Sequence, residues 1–159
     1  MKILLTGASG FVGAAVMRRL SKEPSEIRVL IRESSNRLNL AGHNVEVCVG
    51  DLLDMKSLNS AAKGCDILIH TAADYRIWVP NTKDMMDANV SGTINVMTAA
   101  ANAGVNKIIY TSSVAALGQA DDGYEANEET HSAFHDKIGP YKQSKFLAEK
   151  EVLRMHREQ

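Results

Sequence analysis

The stretch "MKILLTGASGFVGAAVMRRL" at the start of the chain restricts the fold more than any other. A short apolar run ends at Thr6, and Gly7, Gly10 and Gly13 follow at three-residue spacing as an amphipathic run begins at Phe11. Strand, glycine turn and helix in that order describe a βα unit. Gly7 permits a tight turn and Gly10 lets backbone approach a bulky anion. Gly13 lets the helix pack close to the strand. Free N–H groups at the helix start, aligned with the helix dipole, suit a phosphate. A bare glycine triplet would equally fit a plain turn. Here a strand precedes it and a helix follows, which points to a dinucleotide.

The rest of the chain repeats the pattern. Apolar, β-branched runs recur at Ile27 to Ile31, Val45 to Val49, Ile67 to Ile69 and Ile108 to Tyr110, after the first at Ile3 to Leu5. Each is apolar on both faces or nearly so, as strands covered by helices must be. Helices are expected over Phe11 to Lys22, over Asp54 to Lys63 before Gly64, and over Thr82 to Asn102 before Gly104. The last of these should bury a stripe of Met86, Val90, Met97 and Ala101. Alternating strands and helices build a parallel α/β sheet. At 159 residues, without repeats or linkers, one domain covering 1–159 is expected. Residues Gly118 to Gly139 read as a long polar loop.

Composition narrows the partners. Hydrophobic residues make up 45%, charged residues 23%, and the net charge is −1 with Lys and Arg scattered. No basic patch suggests nucleic acid or an anionic membrane. There is no membrane-spanning apolar run and no leader pattern, and Cys48 and Cys65 lack metal-ligand spacing. A cytoplasmic setting without a metal is expected.

"YKQSK" near the end places Tyr141 and Lys145 four residues apart, with Pro140 suited to the first helical position. Tyr141 and Lys145 then share a face with Ala148, Val152 and Met155, which is the apolar side. A lysine there needs a partner or a purpose. A phenol, with a pKa of about 10, is a poor base at neutral pH. An adjacent ammonium favours its ionised form, which makes such a pair suited to proton transfer. The strand end "YTSS" offers hydroxyls at Thr111, Ser112 and Ser113 to hold a substrate oxygen.

Taken in order, these segments resemble the extended short-chain dehydrogenases/reductases of the NAD-dependent epimerase/dehydratase type. "TGASGFVG" resembles their Thr-Gly-x-x-Gly-x-x-Gly element, which implies cofactor contacts from Thr6, Gly7, Gly10, Phe11, Val12 and Gly13. "GDLLD" resembles the Asp-Leu pair, implying Asp51 at the adenine amino group and Leu52 against the ring. "HTAAD" implies Ala72 and Ala73 along the cofactor, and "NVSGTINVMTAA" implies Asn89 near the active site. "YTSSVAALG" and "YKQSK" are similar to the catalytic serine segment and the Tyr-x-x-x-Lys motif. The resemblance implies Ser113, with Ser112 as the alternative, beside Tyr141 and Lys145, the lysine also reaching the nicotinamide ribose. "AADYRIW" and the wording after "YKQSK" are most similar to hopanoid-associated sugar epimerases and dihydroflavonol 4-reductase-like proteins.

The implied architecture is a Rossmann-type sheet of order 3-2-1-4-5 with helices on both faces. The C-terminal substrate region of such relatives is absent from this sequence. The implied chemistry is hydride transfer between nicotinamide C4 and a secondary alcohol or ketone, sugar- or flavonol-like, by a reductase or an epimerase. At the end of the second strand Arg32 stands where Asp or Glu would hold a ribose 2′-OH. Its guanidinium suits a 2′-phosphate, with Arg37 in support and Glu33 as a competing ribose ligand. NADP(H) is therefore expected over NAD(H). Tyr75, Arg76 and Trp78 either line a substrate site or pack a loop down. His131, His135 and His156 receive no role. The expected partners are a small carbonyl or alcohol substrate and, for uncovered edges, a second copy of the chain. The alternative is a truncated nucleotide-binding module without turnover, acting as a sensor or as part of an assembly.

Overall fold

A computed structural model describes residues 1–120 and 124–158. Residues 121–123 of the expected loop and Gln159 lie outside the described residues. The chain resolves into two compact units, 1–73 with 95–111 and 74–94 with 112–159.

The first unit is a five-stranded parallel sheet of order β3-β2-β1-β4-β5. Its strands are β1 (Lys2–Thr6), β2 (Glu26–Ile31), β3 (Glu46–Val49), β4 (Ile67–His70) and β5 (Lys107–Tyr110). Register places Thr6 beside Leu30 on one side and His70 on the other, so the strand ends that carry the glycine turn, Arg32 and Ala72 are level. Because side chains alternate along a strand, Ile3, Leu5, Ile27, Val29, Ile31 and Ile69 gather on one face with Met17 of α1 (Phe11–Leu20). Leu4 and Leu68 turn to the other face and are fully buried. On that side Arg28 donates to the Ala61 and Lys63 carbonyls at the end of α2 (Met55–Ala62), 2.7 Å each. The helix starts where an acidic residue was expected, with Asp54 as N-cap accepting from the Lys56 N–H at 3.0 Å.

The two outer strands differ from the expectation of burial on both faces. Val47 and Val49 on β3 and Ile109 on β5 are 40%, 47% and 42% exposed. Among the described residues each outer strand pairs on one side only.

In the second unit the helix expected at 82–102 begins and ends on schedule but is not uniform. It runs as α3 (Thr82–Met86), a π-helical turn (Asp87–Ser91) and α4 (Gly92–Asn102), the last eight residues of which belong to the first unit. Its buried side carries Met85, Asn89 and Thr93, then Val96, Met97, Ala99 and Ala100, whereas Met86 and Val90 are half-buried and Ala101 is exposed. Met97 of the expected stripe is buried as read, whereas at its other three positions the buried residue lies one place earlier. A wide turn breaks the 3.6-residue period, and two of the buried residues are polar, so an apolar pattern could not find them. α5 (Pro140–Arg157) starts at Pro140 after Gly139, whose φ of 88° only glycine adopts without strain. Among the described residues no helix is long and apolar enough to cross a membrane, and no group of three or more His, Cys, Asp or Glu could hold a metal ion.

Candidate active site

In the first unit, the residues singled out for a cofactor all follow carboxyl ends of neighbouring parallel strands. That is where ligands bind in open α/β sheets. The three glycines serve different ends. Gly7 has φ 79°, and a Cβ there would lie 2.6 Å from Thr71 Oγ1 and 2.7 Å from the Ala72 nitrogen. A Cβ on Gly13 would sit 2.2 Å from the Gly7 carbonyl oxygen. Both are demanded by the fold. At Gly10 the nearest atom would be 3.3 Å away, so the fold itself nearly tolerates a side chain. Gly10 is also the N-cap of α1, with no side-chain cap and no acidic residue in the first turn. The positive end of the helix dipole is therefore not neutralised by side chains of its own first turn. Phe11 and Val12 are 87% and 50% exposed.

Several contacts hold this turn and the loops beside it. Thr6 Oγ1 and His70 Nδ1 share a hydrogen bond of 2.6 Å, and His70 stacks on Tyr110 with centroids 5.8 Å apart. Thr71 Oγ1 donates to the Thr6 carbonyl at 2.7 Å. Asn39 Nδ2 reaches the Ser9 carbonyl inside the glycine turn at 2.9 Å. The Asp51 carboxylate accepts from the Leu53 N–H at 2.9 Å, and the Leu52 carbonyl accepts from Asn95 at 3.0 Å. Asp51 and Leu52 are thereby set in a fixed loop. Ala72 and Ala73 are half-buried after β4. Arg32 is exposed, and Glu33 lies 4.0 Å from Arg37 as an ion pair.

The second unit brings together Asn89, Ser113, Tyr141 and Lys145. The Tyr141 hydroxyl donates to Ser113 Oγ at 3.4 Å, a long contact. Ser113 caps the short 3-10 turn Val114–Ala116, accepting from the Ala115 N–H at 3.1 Å. Ser112 points elsewhere, donating to Glu149 on α5. Lys145 is only 4% exposed. Burial pushes its ammonium down to about 8 from an ordinary 10.5, against the opposing pull of the Glu149 carboxylate.

Asn89 is buried on the π-helical turn. Its Nδ2 donates to the Asp74 carbonyl at 2.8 Å and to Ser144 Oγ at 2.9 Å, while its Oδ1 accepts from the Asp74 N–H at 2.6 Å. Ser144 in turn donates to the Tyr141 carbonyl at 2.8 Å. A chain of hydrogen bonds thus runs from the loop at Asp74 to the first turn of α5. Lys137 adds a second tie, donating to the Leu117 carbonyl at 2.5 Å and lying 5.5 Å from the centre of the Phe146 ring. Tyr75, Ile77 and Trp78 are 72%, 96% and 76% exposed, so they do not pack that loop down. Arg76 is paired with Asp74 at 2.5 Å.

Sequence reasoning missed His70, Asn39, Asn95, Ser144, Lys137 and Glu149. Ser144 and Glu149 could have been suspected, as polar residues flanking a lysine on the buried side of α5. The others join segments far apart in sequence and left no local signal.

The chain matches the 3-beta hydroxysteroid dehydrogenase/isomerase family over residues 4–157. It is 42% identical over 149 residues to a Synechocystis sp. protein provisionally named dihydroflavonol 4-reductase, covering 94% of this chain and 43% of that one. The crystal structure of gox2253 superposes with a TM-score of 0.93 at 54% identity, covering 98% of this chain and 47% of that one. A short-chain dehydrogenase/reductase superfamily protein from Agrobacterium tumefaciens, solved with bound NAD, gives a TM-score of 0.82 at 29% identity, over 98% and 45%. The chain thus spans under half the length of these relatives. Glycine turn, parallel sheet and Tyr-x-x-x-Lys helix agree with the match across nearly every residue: the chain belongs to the 3-beta hydroxysteroid dehydrogenase/isomerase family of extended short-chain dehydrogenases/reductases.

Proposed function

We propose that the chain forms the cofactor-binding and proton-transfer domain of a nicotinamide-dependent reductase or epimerase acting on a secondary alcohol or ketone. The observation that carries this reading is Lys145, a buried lysine one turn beyond Tyr141, whose hydroxyl is within hydrogen-bond reach of Ser113. A nicotinamide, when bound, supplies or accepts the hydride at C4. Tyr141 gives its hydroxyl proton to the substrate oxygen during reduction and takes it back during oxidation. Ser113 holds that oxygen by hydrogen bond, and the Lys145 ammonium stabilises the charge left on Tyr141. The uncapped start of α1 and the room at Gly10 fit a pyrophosphate, with Asp51 and Leu52 at the adenine and Ala72 and Ala73 along the chain of the cofactor. Asn89 orders the loop at Asp74 and the first turn of α5.

Arg32 favours NADP(H). Glu33, the competing ribose ligand, is engaged by Arg37, and an exposed guanidinium remains at the end of β2. Dissociation constants for NADPH and NADH test this, and tighter NADH binding overturns it. Tyr75, Ile77 and Trp78 suit the sugar- or flavonol-like body of a substrate, since exposed aromatics offer flat apolar contact. The exposed valines of β3 suit pairing with a second copy.

One observation favours a second reading. The chain covers 43% of its Synechocystis relative, and a domain lacking the remainder would bind nucleotide without turnover. NADPH consumption with a panel of ketones, run beside a cofactor titration, separates the two. Turnover supports the enzyme, and binding without turnover supports the module.

A further inference from the structure

We propose that Glu149 is a positioning residue for the proton-transfer pair, tying the Ser112–Ser113 segment to the helix that carries Tyr141 and setting a carboxylate one helical turn from Lys145. This rests on the reading of Tyr141 and Lys145 given above. Glu149 lies one helical turn beyond Lys145 on α5, so both side chains share a face. Its carboxylate accepts a hydrogen bond from Ser112 Oγ, and Ser112 adjoins Ser113 in the chain. Ser112 is therefore a strut rather than a second catalytic hydroxyl. Glu149 is half-buried, so its attraction for a buried ammonium is less screened than that of a surface pair.

The charge balance supports the same role. Burial disfavours the Lys145 ammonium, and Glu149 is the acid acting against that pressure. Other ionisable groups on the elements packed against α5 have partners of their own. Asp87 on the π-helical turn pairs with Lys83, and Asn81 donates to Asp84. His135 and Asp136, on the short turn Phe134–Asp136, face each other at 3.4 Å. On α5 itself, Glu151 pairs with Arg154, and Lys150 lies 5.3 Å from the centre of the Phe146 ring.

The test follows the Lys145 ammonium by NMR of selectively labelled lysine, with its signal identified by loss in Lys145→Arg. Glu149→Gln keeps an oxygen for Ser112 and removes the charge, so the fold is retained. Its Lys145 midpoint is expected to fall by roughly half to one pH unit below that of the unsubstituted chain. A folded Glu149→Gln whose Lys145 midpoint does not move overturns the charge role. For the strut, Ser112→Ala and Glu149→Ala should lower the melting temperature non-additively, the double variant melting close to Glu149→Ala alone. Full additivity overturns it. Neither readout needs turnover, so a chain that reduces no ketone defeats the functional reading and leaves this test intact.

Discussion

Lys145 shows what one residue can carry against its own solvation. Its ammonium has a folded value of about 8 against an ordinary 10.5, so between those values the unfolded chain binds more protons than the folded one. Stability therefore rises as pH climbs from about 8 to 10.5 and is lower at neutral pH by an amount on the order of 1–3 kcal/mol. Lys145→Met should raise stability at pH 7 by about 1–2 kcal/mol in urea unfolding, flatten the rise above pH 8, and abolish turnover. A variant that is less stable at pH 7 would show that the charge is better satisfied than its burial implies. Tyr141→Phe keeps the ring and removes the proton. It should lower kcat by roughly 10²–10⁴ and leave the cofactor dissociation constant within about twofold. Equal losses in binding and rate would make Tyr141 a cofactor ligand first.

Among the elements, the glycine turn separates folding from binding. Gly13→Ala drives a Cβ to 2.2 Å from the Gly7 carbonyl, which backbone cannot relieve cheaply. It should destabilise the chain by about 3 kcal/mol. Gly10→Ala meets its nearest atom at 3.3 Å and should change stability by under about 1 kcal/mol while weakening cofactor binding roughly tenfold or more. Denaturant midpoints and cofactor titrations on the two variants read both quantities. Equal loss of stability in both would assign Gly10 to the fold alone. The π-helical turn is the converse case, an element no propensity pattern announces. It sits where Asn89 turns inward to hold Asp74 and Ser144, and irregular turns of that kind often mark functional sites.

For the whole molecule, the sheet of the first unit leaves apolar side chains exposed on both outer strands. Such edges template pairing with another chain. Sedimentation velocity should show association that grows with concentration, and Val47→Lys on β3 should suppress it. Unchanged association in that variant would move the interface elsewhere. The chain covers 43–47% of the relatives compared.

Strand positions, the glycine turn and the start of α5 were legible from the sequence because each follows from short-range causes, whereas the strand order came from the family resemblance. Those causes are β-branched runs, backbone freedom at glycine and a proline at the first helical position. The stripe on the 82–102 helix was legible at Met97 but misread elsewhere because its buried face includes Asn89 and Thr93, whose burial depends on partners rather than on hydrophobicity. The resemblance favoured Ser113 of "YTSS" with Ser112 as the alternative, and the tertiary structure shows why it is Ser113 that approaches Tyr141. Ser112 and Ser113 are alike in sequence, and Glu149, 37 residues from Ser112, draws one of them away. The same holds for Thr6 with His70, 64 residues apart, and for Asn89 with Ser144, 55 apart. A buried polar group must find a partner wherever the fold brings one within about 3 Å, and nothing in the local chain says which partner that will be.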